Sequence, residues 1–214
     1  MRPITVSAGP LAGANASNIA QSQTPGASGN LTLNGTLVSG GVATLDNPRR
    51  ILITTNDTTT TFTVTGTTPT GAVITETLKI VAGSSYTAQD FSTVTSIAVN
   101  QATTAAVTVG TNGIAATPWA RLDEWANTQV SIQIDVSGTV NYTVQSTMDD
   151  PNSATNSVLP QNMQWVSSND TNVVGATSTL QTNYLFSPTF VRVLLNSGSG
   201  SISATFAQAN VASR

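Results

Sequence analysis

Short alternations of apolar and polar residues are the feature that most constrains the fold of this chain. The clearest is VSIQIDV at residues 130–136, in which every second residue is Val or Ile and the others are polar. Because successive side chains of a strand point to opposite faces, this period of two predicts a β-strand with one buried face. Similar segments recur from Leu31 onward, separated by Gly, Asn, Ser and Pro, without a long helical pattern. We therefore expect an all-β protein of the antiparallel β-sandwich class.

The distribution of these alternations divides the chain into four parts. Residues 1–29 hold few large apolar side chains, which predicts an extended N-terminal arm that is either disordered or ordered only against a neighbouring subunit. Residues 30–114 and residues 129–214 each predict a small β-sandwich or jelly-roll-like domain. Residues 115–128 form a connector that contains two of the three tryptophans.

The second half of the chain predicts two β-hairpins. The first covers residues 129–146, where the alternation continues on both sides of a Ser-Gly turn at 137–138. The second joins residues 189–195 to residues 201–207 across the linker NSGSG. In each hairpin, consecutive strands are expected to pair with each other in one sheet.

Composition excludes several classes of function. The 214 residues include no Cys and no His, which excludes disulfides, thiolate or imidazole metal sites and catalysis through histidine. Only 8% of the residues are charged and the net charge is −3, so no basic patch is available for nucleic acid. No apolar run is long enough for a bilayer and no signal-peptide block is present, which favours cytoplasmic synthesis without a membrane partner. We expect a protein that is not an enzyme and has no cofactor.

Three residues of the connector are candidate interface residues: Trp119, Arg121 and Trp125. Tryptophan and arginine are enriched at the energetic centres of protein interfaces, which favours an anchor between subunits. The simpler alternative is a linker whose two indoles cap the neighbouring sandwiches, with Arg121 paired to Asp123 or Glu124 at the surface.

Glu76 is the fourth candidate interface residue. It shares strand parity with Ile74 and Leu78 and therefore lies on the more apolar face of its strand. A buried carboxylate without a partner is costly. We therefore expect an ion pair with Arg49 or Arg50, or a position at the sheet rim or in an interface. No second acidic group is spaced to make Glu76 catalytic.

Two other clusters are explained by ordinary structure. Asp149 and Asp150 lie in a turn whose oxygens could ligate a hard cation such as Ca²⁺, but turn-forming residues of this kind are common in solvated loops. The run Thr58–Thr61 and the general excess of threonine are typical of strands with an uncharged exposed face rather than of an ice-binding surface.

Residues 51–113 resemble a sequence pattern that recurs in virion structural proteins of tailed bacteriophages. The similar pieces are FTVTG at 62–66, Gly71, TETL at 75–78, Phe91, VTSI at 94–97 and VTVGT at 107–111. The resemblance implies a compact β-sandwich module in a non-enzymatic particle component. Proteins with this pattern lie on the capsid exterior, at the neck or in the tail, and the second half from Val130 shows no such resemblance.

The resemblance and the composition together predict a virion protein, first of all a capsid decoration or cement protein that stabilises the head. The alternatives are a neck, tail or head-fibre structural protein, or a receptor- or carbohydrate-binding module in which Trp165 binds the sugar. The expected partners are the major capsid protein or other virion proteins, and further copies of the chain in a trimer or a ring.

Overall fold

The computed structural model describes residues 3–81, 83–123 and 129–208. Within these ranges the regular structure consists of β-strands and two 3₁₀ turns, Pro160–Asn162 and Thr171–Val173, with no α-helix. The strands are β1 (Ile4–Ala8), β2 (Asn15–Gln23), β3 (Gly29–Asn30), β4 (Val38–Ser39), β5 (Val42–Thr54), β6 (Thr61–Thr67), β7 (Val73–Lys79), β8 (Ser84–Tyr86), β9 (Phe91–Val99), β10 (Val107–Ala116), β11 (Ala120–Arg121), β12 (Val130–Ser137), β13 (Val140–Thr147), β14 (Val166–Ser167), β15 (Val174–Ala176), β16 (Leu180–Tyr184), β17 (Phe190–Gly198) and β18 (Ser201–Gln208).

The predicted all-β, antiparallel class is confirmed, because the strand pairs of both sheets are antiparallel. None of the described segments is a helix with the length and apolar character needed to cross a membrane.

The chain forms two units. The inserted unit is Gly13–Ile114, and the terminal unit combines Met1–Ala12 with Ala115–Arg214. The inserted unit ends where the first sandwich was expected to end but begins earlier, because β2 and β3 belong to it. The described residues of the expected connector, 115–123, belong to the terminal unit.

The terminal unit contains two sheets that share one core. The first sheet has the strand order β1-β18-β12-β16, and in the second β13 lies between β17 and the short strands β14 and β15. The apolar sides of both sheets meet in a single buried cluster, which is the arrangement of a β-sandwich. The buried residues of the first sheet are Ala8, Val130, Ile132, Ile134, Ile202, Ala204 and Phe206, and those of the second are Val140, Tyr142, Val144, Val191, Val193 and Leu195.

Both predicted hairpins are wrong in their pairing, although their strands are present. β12 pairs with β16 and β18, whereas the next strand, β13, pairs with β17 in the other sheet. Likewise β17 and β18 are consecutive in the chain but lie in different sheets. Each short turn therefore carries the chain from one sheet to the facing one. Alternation shows which side of a strand is buried, and that side is the same for a hairpin and for a crossing between facing sheets.

The two crossing turns contact each other at one end of the sandwich. The amide of Gly200 donates a hydrogen bond of 2.9 Å to the carbonyl of Thr139. Gly198 has a φ of +110°, and a Cβ at this position would overlap the same carbonyl. Glycine is needed at residue 198 both for its backbone conformation and for this close approach.

The inserted unit is built around the strand order β10-β5-β9-β6-β7. β6 and β7 form a true hairpin, in which Thr61 is opposite Lys79 and Thr67 is opposite Val73. β4 and β8 pair with β5, β3 pairs with β9, and β2 pairs with β10. These strands bury a second apolar cluster that includes Ile19, Ile51, Ile53, Phe62, Val64, Ile74, Phe91, Ile97, Val107 and Val109.

The N-terminal arm expected over residues 1–29 is not an arm, because its residues form strands of the two units. β1 pairs with β18 along its whole length, from Ile4 opposite Phe206 to Ala8 opposite Ile202. β2 pairs with β10, and its residue Ile19 is fully buried. Small residues and amides can form a strand here because backbone hydrogen bonds provide the pairing.

Asp57 organises the threonine run of the inserted unit. Its side chain is fully buried and accepts hydrogen bonds from the hydroxyls of Thr59 and Thr60 at 2.8 and 2.6 Å. The backbone amides of Thr59, Thr60 and Thr104 also donate to it, at 2.8, 3.1 and 2.9 Å. The hydrogen bond from Thr60 and those from the amides hold the pKa of Asp57 well below its usual range, despite burial.

We expect Asp57→Ala to lower the free energy of unfolding by about 3 kcal/mol at neutral pH, because it removes a charged acceptor of several hydrogen bonds. Folding lowers the pKa of Asp57, so the stability it contributes is present above the unfolded-state value, near 4, and is lost as the pH falls further. Denaturant titrations should therefore show the difference between variant and wild type shrinking below about pH 4. The exposed Asp135, changed to Ala, is the control; a difference independent of pH would contradict the role of the Asp57 charge.

Deleting residues 1–12 should destabilise the terminal unit, because β18 loses one of its two neighbours and the core loses the buried Ala8 and Leu11. We expect the corresponding calorimetric transition to fall by roughly 10 °C or more. Removal of residues 1–3 alone is the control, since it leaves β1 intact. Unchanged unfolding of the longer deletion would show that β1 adds nothing to the fold.

Candidate functional site

Three aromatic side chains of the terminal unit form a cluster, which we call the aromatic cluster: Trp119, Trp165 and Phe190. The Trp119 ring centroid is 5.4 Å from that of Trp165 and 5.9 Å from that of Phe190. Trp119 directly precedes β11, and β11 pairs with the start of β17, where Phe190 lies. This pairing explains why residues distant in sequence pack together.

Two arginines lie over the rings of the aromatic cluster. The guanidinium of Arg192 is 4.2 Å from the centroid of Trp165, and its Nε donates to Oε1 of Gln145 at 3.0 Å. The guanidinium of Arg121 is 5.3 Å from the centroid of Phe190. Cations favour the faces of aromatic rings, so these contacts stabilise the cluster from within the chain.

Arg121 forms a two-pronged ion pair with Asp150. Its Nη1 and Nη2 donate to the two carboxylate oxygens at 3.0 and 2.7 Å. The hydrogen bonds from Arg121 lower the pKa of Asp150, and burial offsets part of the effect. The pairing expected for Arg121 was with Asp123 or Glu124, so the Asp150 pair is a contact that sequence spacing did not indicate.

The structure describes two of the three candidate interface residues of the expected connector. Trp119 and Arg121 contact residues of their own unit, as described above, and Trp125 lies outside the described residues. The alternative of an anchor between subunits stays a prediction.

Glu76 lies on β7, the last strand in the strand order of the inserted unit. This is a position at the sheet rim, which was one of the alternatives expected from the sequence. Glu76 is half-buried. Its two carboxylate oxygens accept hydrogen bonds from the backbone amides of Ala88 and Gln89 at 2.7 and 2.9 Å. The carboxylate thus fixes the turn before β9.

The two arginines offered as alternative partners of Glu76 pair with other carboxylates. Arg49 is buried and pairs with Asp46 at 2.6 Å, and Arg50 lies 3.7 Å from Asp90. Backbone amides replace the arginines as the partners of Glu76.

A pocket with a volume of about 310 Å³ opens beside the aromatic cluster. We call it the β13 pocket, because the end of β13 forms one wall. It is lined by Ser146–Asp149, by Gln164 and Val166–Asn169, and by Tyr184 and Phe186. A second cavity, of about 480 Å³, shares Met148 and Asp149 with it and is otherwise lined by the loop around Asp150 and by Thr189.

Three buried residues with hydroxyl groups, Tyr184, Ser146 and Ser168, belong to the wall of the β13 pocket. Tyr184 is only 4% exposed, and its hydroxyl is buried without a partner at hydrogen-bond geometry. Burial raises the pKa of Tyr184, and the neighbouring hydroxyls of Ser146 and Ser168 offset part of the rise. Both serines are buried as well. The Tyr184 hydroxyl is enclosed by protein, so the serine hydroxyls beside it are the groups that can satisfy it.

The rim of the β13 pocket is apolar. Met148 is 67% exposed, Val166 is 62% exposed and Phe186 is 41% exposed. The Phe186 ring lies 5.1 Å from that of Tyr184. The pocket therefore has an apolar mouth and polar residues in its wall.

The sequence does not reveal this pocket, because its walls come from three separate stretches of the chain. One signal was present: Leu185 and Phe186 are consecutive large apolar residues that break the alternation at the end of β16. Both residues follow β16 directly and are exposed, so neither belongs to the core of the unit.

The turn at Asp149 and Asp150 is held by protein groups. Arg121 supplies the positive charge beside Asp150, and Asp149 Oδ2 accepts from the amide of Gln164 at 2.7 Å. The described ranges contain no group of three or more acidic residues arranged to hold a metal ion.

The chain was compared with known families and with curated proteins: no family model matches it, and no curated protein is significantly similar.

Two buried tyrosines of the terminal unit allow a matched stability test. The hydroxyl of Tyr142 donates to the carbonyl of Ser178 at 2.9 Å, whereas that of Tyr184 has no such partner. We expect Tyr142→Phe to cost about 1 kcal/mol and Tyr184→Phe to cost nothing or to stabilise the fold. Chemical denaturation measures both. An equal loss in the two variants would mean that the Tyr184 hydroxyl is satisfied.

Proposed function

We propose that this chain is a non-enzymatic structural component of a tailed-bacteriophage virion, and in particular a capsid decoration or cement protein that stabilises the head. The resemblance of residues 51–113 and the weakly charged, all-β character of the chain support this proposal. The observation that carries it is a concentration of exposed apolar side chains in the terminal unit.

Six of the nine exposed large apolar side chains among the described residues belong to the terminal unit: Met148, Leu159, Val166, Val174, Leu185 and Phe186. Of these, Met148, Val166 and Phe186 line the same pocket and are therefore adjacent. We call these three side chains the 148–186 surface. Adjacent exposed apolar groups mark surfaces that bind a partner.

A partner in a capsid lattice suits a surface of this kind. On a symmetric particle many copies bind at once, so a modest apolar contact per copy suffices for stable attachment. The low charge of the chain, with seven basic and ten acidic residues, leaves this contact little affected by salt. The partner in this proposal is the major capsid protein, with further copies of the chain in a trimer or a ring.

A neck, tail or head-fibre position is the second candidate, since the resemblance covers proteins at these positions too. The two candidates differ in copy number: a cement protein follows the lattice, whereas a neck or tail component follows a ring of about a dozen subunits or fewer.

Quantitative mass spectrometry of purified virions, normalised to the major capsid protein, should give a simple fraction of one copy per capsid subunit. That ratio is expected because a cement protein occupies equivalent lattice positions. About a dozen copies or fewer per particle would place the chain at the neck, the tail or a fibre. Absence from purified virions would contradict the proposal altogether.

The double substitution Met148→Asp with Val166→Asp should abolish most incorporation into virions, because it places two charges on the 148–186 surface. Both side chains are exposed, so folding should be preserved. Val73→Asp with Val81→Asp is the matched control, since these valines are as exposed but lie in the inserted unit. Equal incorporation of the two double variants would show that the 148–186 surface does not bind the capsid.

A further inference from the structure

We propose that β7 of the inserted unit pairs with β7 of a second copy of the chain, so that the two copies share one continuous antiparallel sheet. The two-fold axis of this pair passes beside Thr75. The contact is separate from the 148–186 surface, which lies in the terminal unit. It concerns self-association of the chain in solution and does not rest on the proposed role in a virion.

β7 is an open edge of its sheet. In the described ranges it pairs with β6 and with no other strand. It is seven residues long, whereas β1 and β16, which end the first sheet of the terminal unit, have five residues each. The outer side of β2 is closed, because the carbonyls of Asn18 and Ile19 accept from the amides of Leu37 and Gly35. An open edge presents unpaired amides and carbonyls to which a further strand can bond.

Every second residue of β7 directs its backbone groups away from β6. Thr65 is opposite Thr75, and the carbonyl of Thr65 accepts from the Thr95 hydroxyl on β9 at 3.2 Å, so it points away from β7. Bonded and non-bonded pairs alternate along an antiparallel ladder, and the pair of Thr65 and Thr75 is therefore a non-bonded one. The amide and carbonyl of Thr75 thus face outward. The same holds for the other odd-numbered residues of the strand, Val73, Thr77 and Lys79.

The free stretch of this edge runs from residue 73 to residue 77. At Lys79 the outward carbonyl already accepts from the Ser85 hydroxyl at 3.4 Å. Within the part of the chain that the structure describes, no group bonds to the outward amides and carbonyls of Val73, Thr75 and Thr77. Thr75 is the centre of this stretch, so a two-fold pairing centred there uses all of it.

This centring also gives the best register. Thr75 faces Thr75 of the second copy, and Val73 faces Thr77 on both sides of the axis, which allows about six hydrogen bonds. A register centred on Glu76 would place two like charges directly opposite each other, which destabilises a strand pair. A register centred on Thr77 would need the carbonyl of Lys79, which is already bonded.

The side chains of the free stretch suit a cross-strand pair. Val73, Thr75 and Thr77 are exposed and uncharged. The sheet already contains threonine pairs of this kind, since the hydroxyls of Thr63 and Thr77 on neighbouring strands lie 2.9 Å apart. A pair of Thr75 side chains across the axis would add one more. Threonine and β-branched pairs stabilise adjacent strands.

Exposed apolar side chains identify a second copy as the occupant. Among the described residues of the inserted unit, the exposed large apolar side chains are Val73, Val81 and Tyr86. Val73 begins β7, Val81 follows its end by two residues, and Tyr86 lies on β8 beside that end. In the proposed register Val81 comes level with Pro69 of the second copy. The two-fold pair therefore covers apolar groups at both ends of the strand, whereas a foreign strand would have to supply such groups itself.

Disulfide formation tests the register. The chain contains no cysteine, so a single introduced thiol reports its own neighbours. Thr75→Cys would place the two thiols on residues whose Cα atoms are about 5.5 Å apart, a distance that a disulfide spans. Lys79→Cys is the matched control: this residue is also exposed on β7, but its two copies would be about 27 Å apart. In a glutathione redox buffer Thr75→Cys should form a covalent dimer at least about tenfold faster than Lys79→Cys. Equal rates, or no dimer from Thr75→Cys, would overturn the proposal.

Sedimentation equilibrium tests the backbone pairing. The unmodified chain, studied into the millimolar range, should show a monomer–dimer equilibrium. Thr75→Pro removes the outward amide and with it the two hydrogen bonds at the axis, so the dissociation constant should rise at least about tenfold. Thr75→Val keeps the amide and should dimerise like the wild type. A chain that stays monomeric or forms only trimers would overturn the proposal, as would equal dimerisation of the proline variant.

The proline variant should fold, because proline is tolerated at edge positions whose amide faces outward. Circular dichroism checks this, and if the variant is unfolded the cysteine comparison decides.

The dimer and the capsid contact can be tested separately. Val73→Asp with Val81→Asp places charges at the β7 edge and should be monomeric in solution, whatever its incorporation into virions. Met148→Asp with Val166→Asp should dimerise like the wild type, since both residues lie in the terminal unit. Loss of the dimer in this second variant, or its persistence in the first, would overturn the assignment to β7.

Discussion

The pairing of β1 with β18 is the constraint on which the terminal unit depends. β18 lies between β1 and β12 in the first sheet, and its alternate residues Ile202, Ala204 and Phe206 form the centre of the core. If β1 is missing, β18 becomes an edge strand with unpaired backbone groups. The first sheet and the core of the terminal unit therefore require strands from both ends of the described chain.

Sequence alone predicted the strands far better than their partners. The alternation at 130–136 and 140–144 located β12 and β13, and every apolar residue of β12 up to Ile134 is buried as expected. Pairing was missed because a turn of two residues serves a hairpin or a crossing between facing sheets equally well. The arm was missed for a different reason: Asn15–Gln23 carries little apolar area, and its place in the sheet comes from backbone hydrogen bonds and from the close approach permitted at Gly110.

In the candidate site, too, individual residues could be predicted from the sequence but their contact partners could not. Trp119 and Arg121 stood out because they are uncommon residue types in this chain, and both do take part in a specific cluster. The partners that complete it, Trp165 and Asp150, are 46 and 29 residues away in the chain. Contacts between residues so far apart in the chain leave no periodic pattern in the sequence from which they could be predicted. Glu76 was correctly placed on its strand, but its backbone partners depend on a turn whose course the sequence does not specify.

Because β1 pairs with β18, β1 leaves the ribosome almost 200 residues before its partner strand. At usual rates of synthesis this interval is roughly 10–40 s. The inserted unit is contiguous in sequence and can fold during that time. A truncated translation product would contain a folded inserted unit but no complete terminal sandwich, and it would lack a properly formed 148–186 surface. The order of the strands thus makes the 148–186 surface a late product of translation, present only on chains synthesised through β18.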